Sequence, residues 1–189
     1  MKKSILFTLC LIGSLFSAYA AAENKHGVKV GDVFGGMDVG VSTIGAPANS
    51  YSISSGQAVT ARVGVVSDAQ FDDEYSGFEL SYTRVTGGKT SVGNLEVGNT
   101  SWALQHFTRF QKEDSKLTLT GRAGLANVAT TISGSSTNSV FLAAGADIGY
   151  EVMPKLNLVG KVDVRQAKLS SSSDASWNFL FTAGAEYHF

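Results

Sequence analysis

Apolar residues in this chain recur at every second position, in runs of roughly ten, separated by stretches rich in Gly, Ser, Thr and Asn. The clearest run is the last, 177–189. Trp177, Phe179, Phe181, Ala183, Ala185, Tyr187 and Phe189 share one face, while Asn178, Thr182, Gly184, Glu186 and His188 share the other. Side chains alternate across a strand, so this segment is a strand with one oily and one wetter face. Its length suits a tilted strand crossing a bilayer. Aromatic residues stand at both ends of the oily face with small Ala183 and Ala185 between them, as on a membrane strand that marks its two interfaces.

Seven earlier segments carry the same alternation. The expected strands are 36–43, 58–66, 76–85, 101–110, 116–126, 140–152 and 156–165. Met37, Val39 and Val41 share a face in the first; Val59, Ala61, Val63 and Val65 in the second; Phe78, Leu80 and Tyr82 in the third. The fourth is less regular, with Trp102, Leu104 and Phe110 on the apolar side and His106 among them. The connections at 44–56, 86–100, 127–139 and 166–175 read as long polar loops, and those at 111–115 and 153–155 as short turns, with 67–74 intermediate. Eight alternating segments with loops that alternate in length predict an all-β fold, an eight-stranded antiparallel up-and-down transmembrane barrel. The even count puts both termini on the periplasmic side. Tyr82, Trp102 and Trp177 then sort to the outer interface of an aromatic girdle, and Phe110 and Tyr150 to the inner one.

The first twenty residues differ in kind. Lys2 and Lys3 precede the apolar run 5–16, and Ala18-Tyr19-Ala20 forms a small-x-small cleavage site. Residues 1–20 are therefore expected to be a cleaved signal peptide, 21–35 a short periplasmic lead-in and 36–189 the barrel. Cys10, the single cysteine, leaves with the signal, so disulfides, thiol nucleophiles and cysteine metal sites are excluded from the mature chain. Loss of Lys2 and Lys3 leaves 13 Lys and Arg against 16 Asp and Glu, a net charge of about −3. That balance excludes a nucleic-acid partner. Three scattered histidines offer no metal site, and the Gly-x-Gly pieces lie inside strands, where they cradle no phosphate and call for no cofactor.

Charges cluster on the polar faces. Asp38, Glu79, Asp147, Glu151, Asp163 and Glu186 oppose Arg62, Arg109, Arg122, Lys161 and Arg165. An eight-stranded barrel has interior room only for its own side chains, and charges buried there must pair. The expected pairs are neighbours on adjacent strands: Asp38 and Glu79 flanking Arg62, and Asp147 between Arg122 and Lys161. Balanced signs predict a plugged lumen; a lining of one sign would predict an ion path. A soluble lipocalin-type barrel would invert the two faces, and the aromatic girdles and the charged second face argue against it.

The ending Gly-Ala-Glu-Tyr-His-Phe, with Phe189 last and Tyr187 two before it, resembles the C-terminal signature of bacterial outer-membrane β-barrel proteins. The segment 35–42, Gly-Gly-Met-Asp-Val-Gly-Val-Ser, is similar to the Gly-rich first strand of opacity-type and porin-like families. The resemblance implies residence in the bacterial outer membrane, contact with its lipid, and reading of Tyr187 and Phe189 by the barrel-assembly machinery. It also implies a structural or surface role, in adhesion, envelope integrity or host-factor resistance, with the loops meeting a host or extracellular ligand. Two other functions are compatible with the fold: a small, weakly conducting porin and a lipid A-modifying hydrolase. The latter rests on His106 and Thr108, which resemble the His and Ser of barrel-borne lipid A deacylases. Thr replaces Ser, Arg109 stands where those enzymes have Asn, and no acid orients the histidine, so the expectation is a non-enzyme.

Overall fold

The computed structural model describes residues 28–45, 53–71, 73–91, 93–112, 114–168 and 175–189. The expected signal segment, with Ala18 and Ala20, lies outside them. Eight antiparallel strands form one closed barrel: β1 (Val33–Ile44), β2 (Gly56–Phe71), β3 (Glu74–Lys89), β4 (Glu96–Gln111), β5 (Leu117–Ile132), β6 (Ser135–Met153), β7 (Leu156–Lys168) and β8 (Ala175–His188). β1 pairs with β8 from Phe34↔His188 to Ile44↔Asn178, which removes the last open edge. In lipid that closure is obligatory, because an unpaired backbone group finds no water.

The faces fall where the alternation puts them. Leu142 is 71% exposed and Met37 66% exposed, along with Val39, Leu104, Leu119, Ile148 and Phe181, all on the outer surface. A soluble protein does not leave an apolar band of this extent open to water. The lipocalin-type inversion is thereby overturned. β4 keeps one register with β5 throughout and with β3 from Phe110 to Asn99, with Ala103, Gln105, Phe107 and Arg109 buried inside and His106 outside.

Three boundaries differ from expectation, for physical reasons. The 127–139 stretch, read as a loop, is a continuation of β5 and β6, paired down to Ile132↔Ser135 and reversed by Ser133 and Gly134 alone. Both turn residues have positive φ, 46° and 87°, the type I′ geometry that matches strand twist. Strands that project beyond the bilayer have no lipid face, so the period-two apolar signal disappears while the hydrogen bonds continue. The 67–74 turn is likewise mostly β2, with register shifts between Val66 and Asp68 and between Asp68 and Phe71; a bulge breaks the alternation on which the strand was recognised. At 86–100, β3 runs on to Lys89 and β4 starts at Glu96.

The barrel also begins earlier than residue 36. β1 starts at Val33, and the residues before it turn inward. Lys29 N donates to Asp32 Oδ2 at 2.8 Å, Gly31 N to Val66 O at 2.9 Å, and Val66 N to Asp32 O at 2.9 Å. Val28 and Val30 pack on a buried cluster of Phe34, Val66, Ala69, Tyr75 and Phe107. This end of the lead-in is an apolar stopper across the terminal mouth of the barrel.

Candidate functional site in the barrel lumen

The inner face holds five cationic side chains, Arg62, Arg109, Arg122, Lys161 and Arg165, and five carboxylates, Asp38, Glu79, Asp147, Asp163 and Glu186, none more than 5% exposed. They form one connected network. Arg62 Nε lies 3.1 Å from Asp38 Oδ2, and Arg62 Nη1 contacts Glu186 and lies 3.5 Å from Glu79 Oε2. Lys161 Nζ lies 3.3 Å from Asp38 Oδ2 and 3.8 Å from Glu79 Oε1. Arg122 contacts Asp147 and sits 3.6 Å from Asp163 Oδ1 and 3.9 Å from Glu79 Oε2. Formal charge is balanced, five against five, so the lining as a whole carries no net sign.

The pairing geometry departs from the neighbour-strand ladder at Lys161, at Glu186 and where Arg122 of β5 reaches Glu79 on β3 and Asp163 on β7. Asp147 and Lys161 are Cα partners on β6 and β7, yet Lys161 reaches Asp38 on β1 and Glu79 on β3. Glu186 is the largest departure. It bonds Arg62 of β2 and Arg109 of β4, and His188 Nε2 lies 2.9 Å from its Oε1. A narrow barrel lets long side chains meet across its bore as readily as along its wall, and strand order alone does not reveal that. Glu151, expected among the inward charges, takes no part: it is half-buried at the terminal mouth, in a recess of about 580 Å³ shared with Lys29, Lys155 and His188.

Two layers enclose the charges. On the terminal side the Arg109 guanidinium sits 5.4 Å from the Phe34 ring centre, 5.6 Å from Tyr75 and 5.9 Å from Phe107. Desolvated cation–π contacts of this kind stabilise by up to about 2 kcal/mol. On the other side lie hydroxyls and amides. Ser42 Oγ donates to Asn178 Oδ1 at 2.6 Å, Thr60 and Thr83 hydroxyls meet at 2.9 Å, and Arg165 Nη1 donates to Thr83 at 3.1 Å and Ser101 at 2.6 Å. Leu180, an apolar residue on the wetter face of the last strand, is buried with Ala58 and Val85.

Glycines on the inner face make the room. A Cβ on Gly36 would stand 2.9 Å from Arg62 Cζ, and one on Gly145 would stand 2.0 Å from Asp163 Oδ1. The Gly-rich polar faces of the first and sixth strands thus answer a packing need. Among the described residues no group of three His, Cys, Asp or Glu is placed to hold a metal ion.

On the outer surface, Tyr82 and Trp102 are Cα partners with ring centres 4.7 Å apart, and Trp177 is half exposed on β8. Phe110, Tyr150 and Tyr187 lie outward toward the terminal end, where Tyr187 and Phe189 meet edge to face at 5.2 Å. Phe189 N donates to Val33 O at 2.9 Å, tying the last residue to the first strand. His106 also faces outward, with the Phe78 ring edge-on at 5.4 Å.

The sequence matches the family model of the outer membrane protein beta-barrel domain over residues 7–189, and the chain belongs to that family. It is a bacterial outer-membrane β-barrel protein. The fold is similar to that of Neisserial surface protein A, with a TM-score of 0.64 and 15% identity, covering 83% of this chain and 97% of that one. It is also similar to Ail, the attachment invasion locus protein of Yersinia pestis, at TM-score 0.58 and 14% identity over 85% of this chain and 99% of that one. For OprG of Pseudomonas aeruginosa the values are 0.55 and 13%, over 87% and 98%. No curated protein matches the sequence. Three of the connections at the end carrying the termini are short, and the β5–β6 hairpin lies at the opposite end.

Proposed function

We propose that this protein is a sealed, non-enzymatic barrel whose function is carried by the hairpins it projects from the cell surface. The observation that supports this most is the charge-balanced network of ten buried side chains filling the bore. Such a lumen offers no ion path, and the apolar stopper of Val28 and Val30 packs on the inner cluster at the terminal end as well. The outer ends are built differently. β5 and β6 stay paired to Ile132↔Ser135, and nine of the thirteen residues 127–139 are Ser, Thr or Asn. An ordered polar surface held away from the membrane suits contact with a host or extracellular partner, in adhesion, envelope integrity or resistance to host factors. The barrel-assembly machinery is the expected partner during biogenesis, through Tyr187 and Phe189.

The hydrolase reading has weaker support. The cross-strand neighbours of His106 are Phe78 and Ala123, and neither can orient an imidazole for general-base work. The discriminating experiment shortens the β5–β6 hairpin by joining residues 129 and 138 through a two-residue turn. The expected result is a barrel that still inserts and shows heat-modifiable migration but loses surface binding or serum survival in expressing cells. Retention of both phenotypes contradicts a hairpin-borne function. Altered lipid A on expression of the wild type, lost in His106→Ala, contradicts the non-enzymatic assignment.

A further inference from the structure

We infer that the outer third of the lumen is a binding site for a small monovalent anion of chloride size, with Arg165 as its floor. Arg165 is 1% exposed and is the least neutralised of the buried cations. Its nearest carboxylate oxygen, Asp163 Oδ2, lies 3.9 Å from Nη2, beyond hydrogen-bond reach, and Asp163 is shared with Arg122. Its Nη1 is spent on the hydroxyls of Thr83 and Ser101, and its Nε meets no acceptor.

Just above Arg165 stands a second set of buried polar groups with no hydrogen-bond partner. Asn99 is the next inward residue beyond Ser101 on β4, and both of its amide atoms are unpartnered at 3% exposure. Thr130 is the Cα partner of Asn99 on β5, and its hydroxyl is unpartnered at 1% exposure. Ser176 pairs with Ala167, the next inward residue beyond Arg165, and its hydroxyl is unpartnered at 4% exposure. Natural proteins rarely leave such groups unsatisfied, and a cluster of them marks a place where water or an ion is held.

The chemistry of the set selects the ion. A guanidinium N–H, an amide NH₂ and two hydroxyls are donors, and apart from the Asn99 carbonyl each unpartnered group in the set can offer a hydrogen to an anion. A cation would need carboxylates there, and the nearest, on Asp163, already faces Arg122 and Arg165. Val97 and Ile132, the next inward residues beyond Asn99 and Thr130, belong to an apolar cluster with Ile44 and Ile53. That rim lowers the local dielectric, which strengthens the attraction between the guanidinium and an anion. The set ends at the charge network, so the anion binds without crossing.

The test is the chlorine NMR linewidth of sodium chloride solutions containing the detergent-refolded protein. Wild type should broaden the chloride resonance saturably, with bromide competing. Asn99→Ala, which removes a side chain that makes no hydrogen bond, should still migrate as a folded heat-modifiable barrel and lose the saturable broadening, as should Arg165→Gln. Arg84→Gln, at an exposed cation, should keep it. Absence of saturable broadening in wild type, or broadening in Asn99→Ala equal to wild type, overturns the site, whatever Arg165→Gln does. Loss of the effect in Arg84→Gln would assign the ion to the surface and overturn it as well. Bilayer conductance is a separate readout, so failure here and failure of the sealed lumen are told apart.

Discussion

Arg109 Nη2 donates to Glu186 Oε2 at 3.0 Å, and the two residues stand on β4 and β8, opposite walls of an eight-stranded barrel. The bond crosses the bore. Glu186 is also the acceptor for Arg62, so one carboxylate ties three strands together at the level where the stopper ends. Removing one partner of a buried pair leaves an uncompensated charge, which costs about 3–5 kcal/mol, whereas replacing both by apolar residues of similar volume can be neutral. Glu186→Gln is therefore expected to lower unfolding stability in lipid vesicles by about 3 kcal/mol. Arg109→Met combined with Glu186→Met should recover part of that loss. Equal stability of Glu186→Gln and wild type in a urea titration would show that the pair does not lock the barrel.

The glycines supply a paired comparison. Gly145→Ala drives a methyl into the Asp163 carboxylate, while a Cβ on Gly121, on the lipid face, meets nothing within 4 Å. Overpacking costs about 1–3 kcal/mol, so Gly145→Ala should unfold at lower denaturant, and Gly121→Ala should match or slightly exceed wild type. The same titration in both variants decides it.

Depth in the membrane can be read from charge substitutions. Leu104 is 58% exposed and pairs with Leu80 on one side and Leu125 on the other, in the middle of the outward apolar band. Arginine near the bilayer midplane of such barrels costs about 2–4 kcal/mol. Leu104→Arg should show that loss in reversible unfolding from vesicles, and Asn138→Arg, on the projecting hairpin, should show almost none. A similar cost at both positions would place the β5–β6 overhang inside the bilayer.

The architecture was legible because lipid imposes one apolar face on every crossing strand. Val59, Val63, Leu80 and Leu119 announced their strands, and the closed eight-stranded barrel follows from them. The inward residues Asp38, Arg62, Glu79, Arg122, Asp147, Lys161, Asp163, Arg165 and Glu186 were legible as the other half of that alternation. Their partners were not. Lys161 bypasses its neighbour Asp147 for Asp38 and Glu79, and Glu186 reaches Arg109 across the bore, because contacts through a lumen depend on strand tilt and side-chain length. The overhangs were illegible for a simpler reason: the outward positions Asn127, Thr131, Ser136 and Asn138 are polar while Val128 faces inward, so the outward apolar face by which a strand is recognised is missing there. The stopper was hidden because Val28 and Val30 are two isolated apolar residues in a polar lead-in.

Phe189 makes a packing contact, and we propose that it is also read during assembly. Deleting it removes the ring contact with Tyr187 and the hydrogen bond to Val33. Phe189 is 70% exposed, so losing its contact costs about 1 kcal/mol or less, a modest effect on stability in detergent. Insertion in cells should fall far more, with residues 1–20 unchanged and export across the inner membrane expected to be intact. Equal losses in pulse-chase insertion and in detergent refolding would make Phe189 a packing anchor and nothing else.

The sealed lumen is tested most directly by recording current across a planar lipid bilayer into which the refolded protein has been inserted, with insertion verified by heat-modifiable migration of the recovered sample. Five cations paired with five carboxylates and an apolar stopper at the terminal end predict a flat baseline, without discrete current steps at either polarity. A stable, voltage-independent open level that scales with salt concentration would contradict it, and would mean that the network of Arg62, Arg122, Lys161 and their carboxylates parts to let ions through.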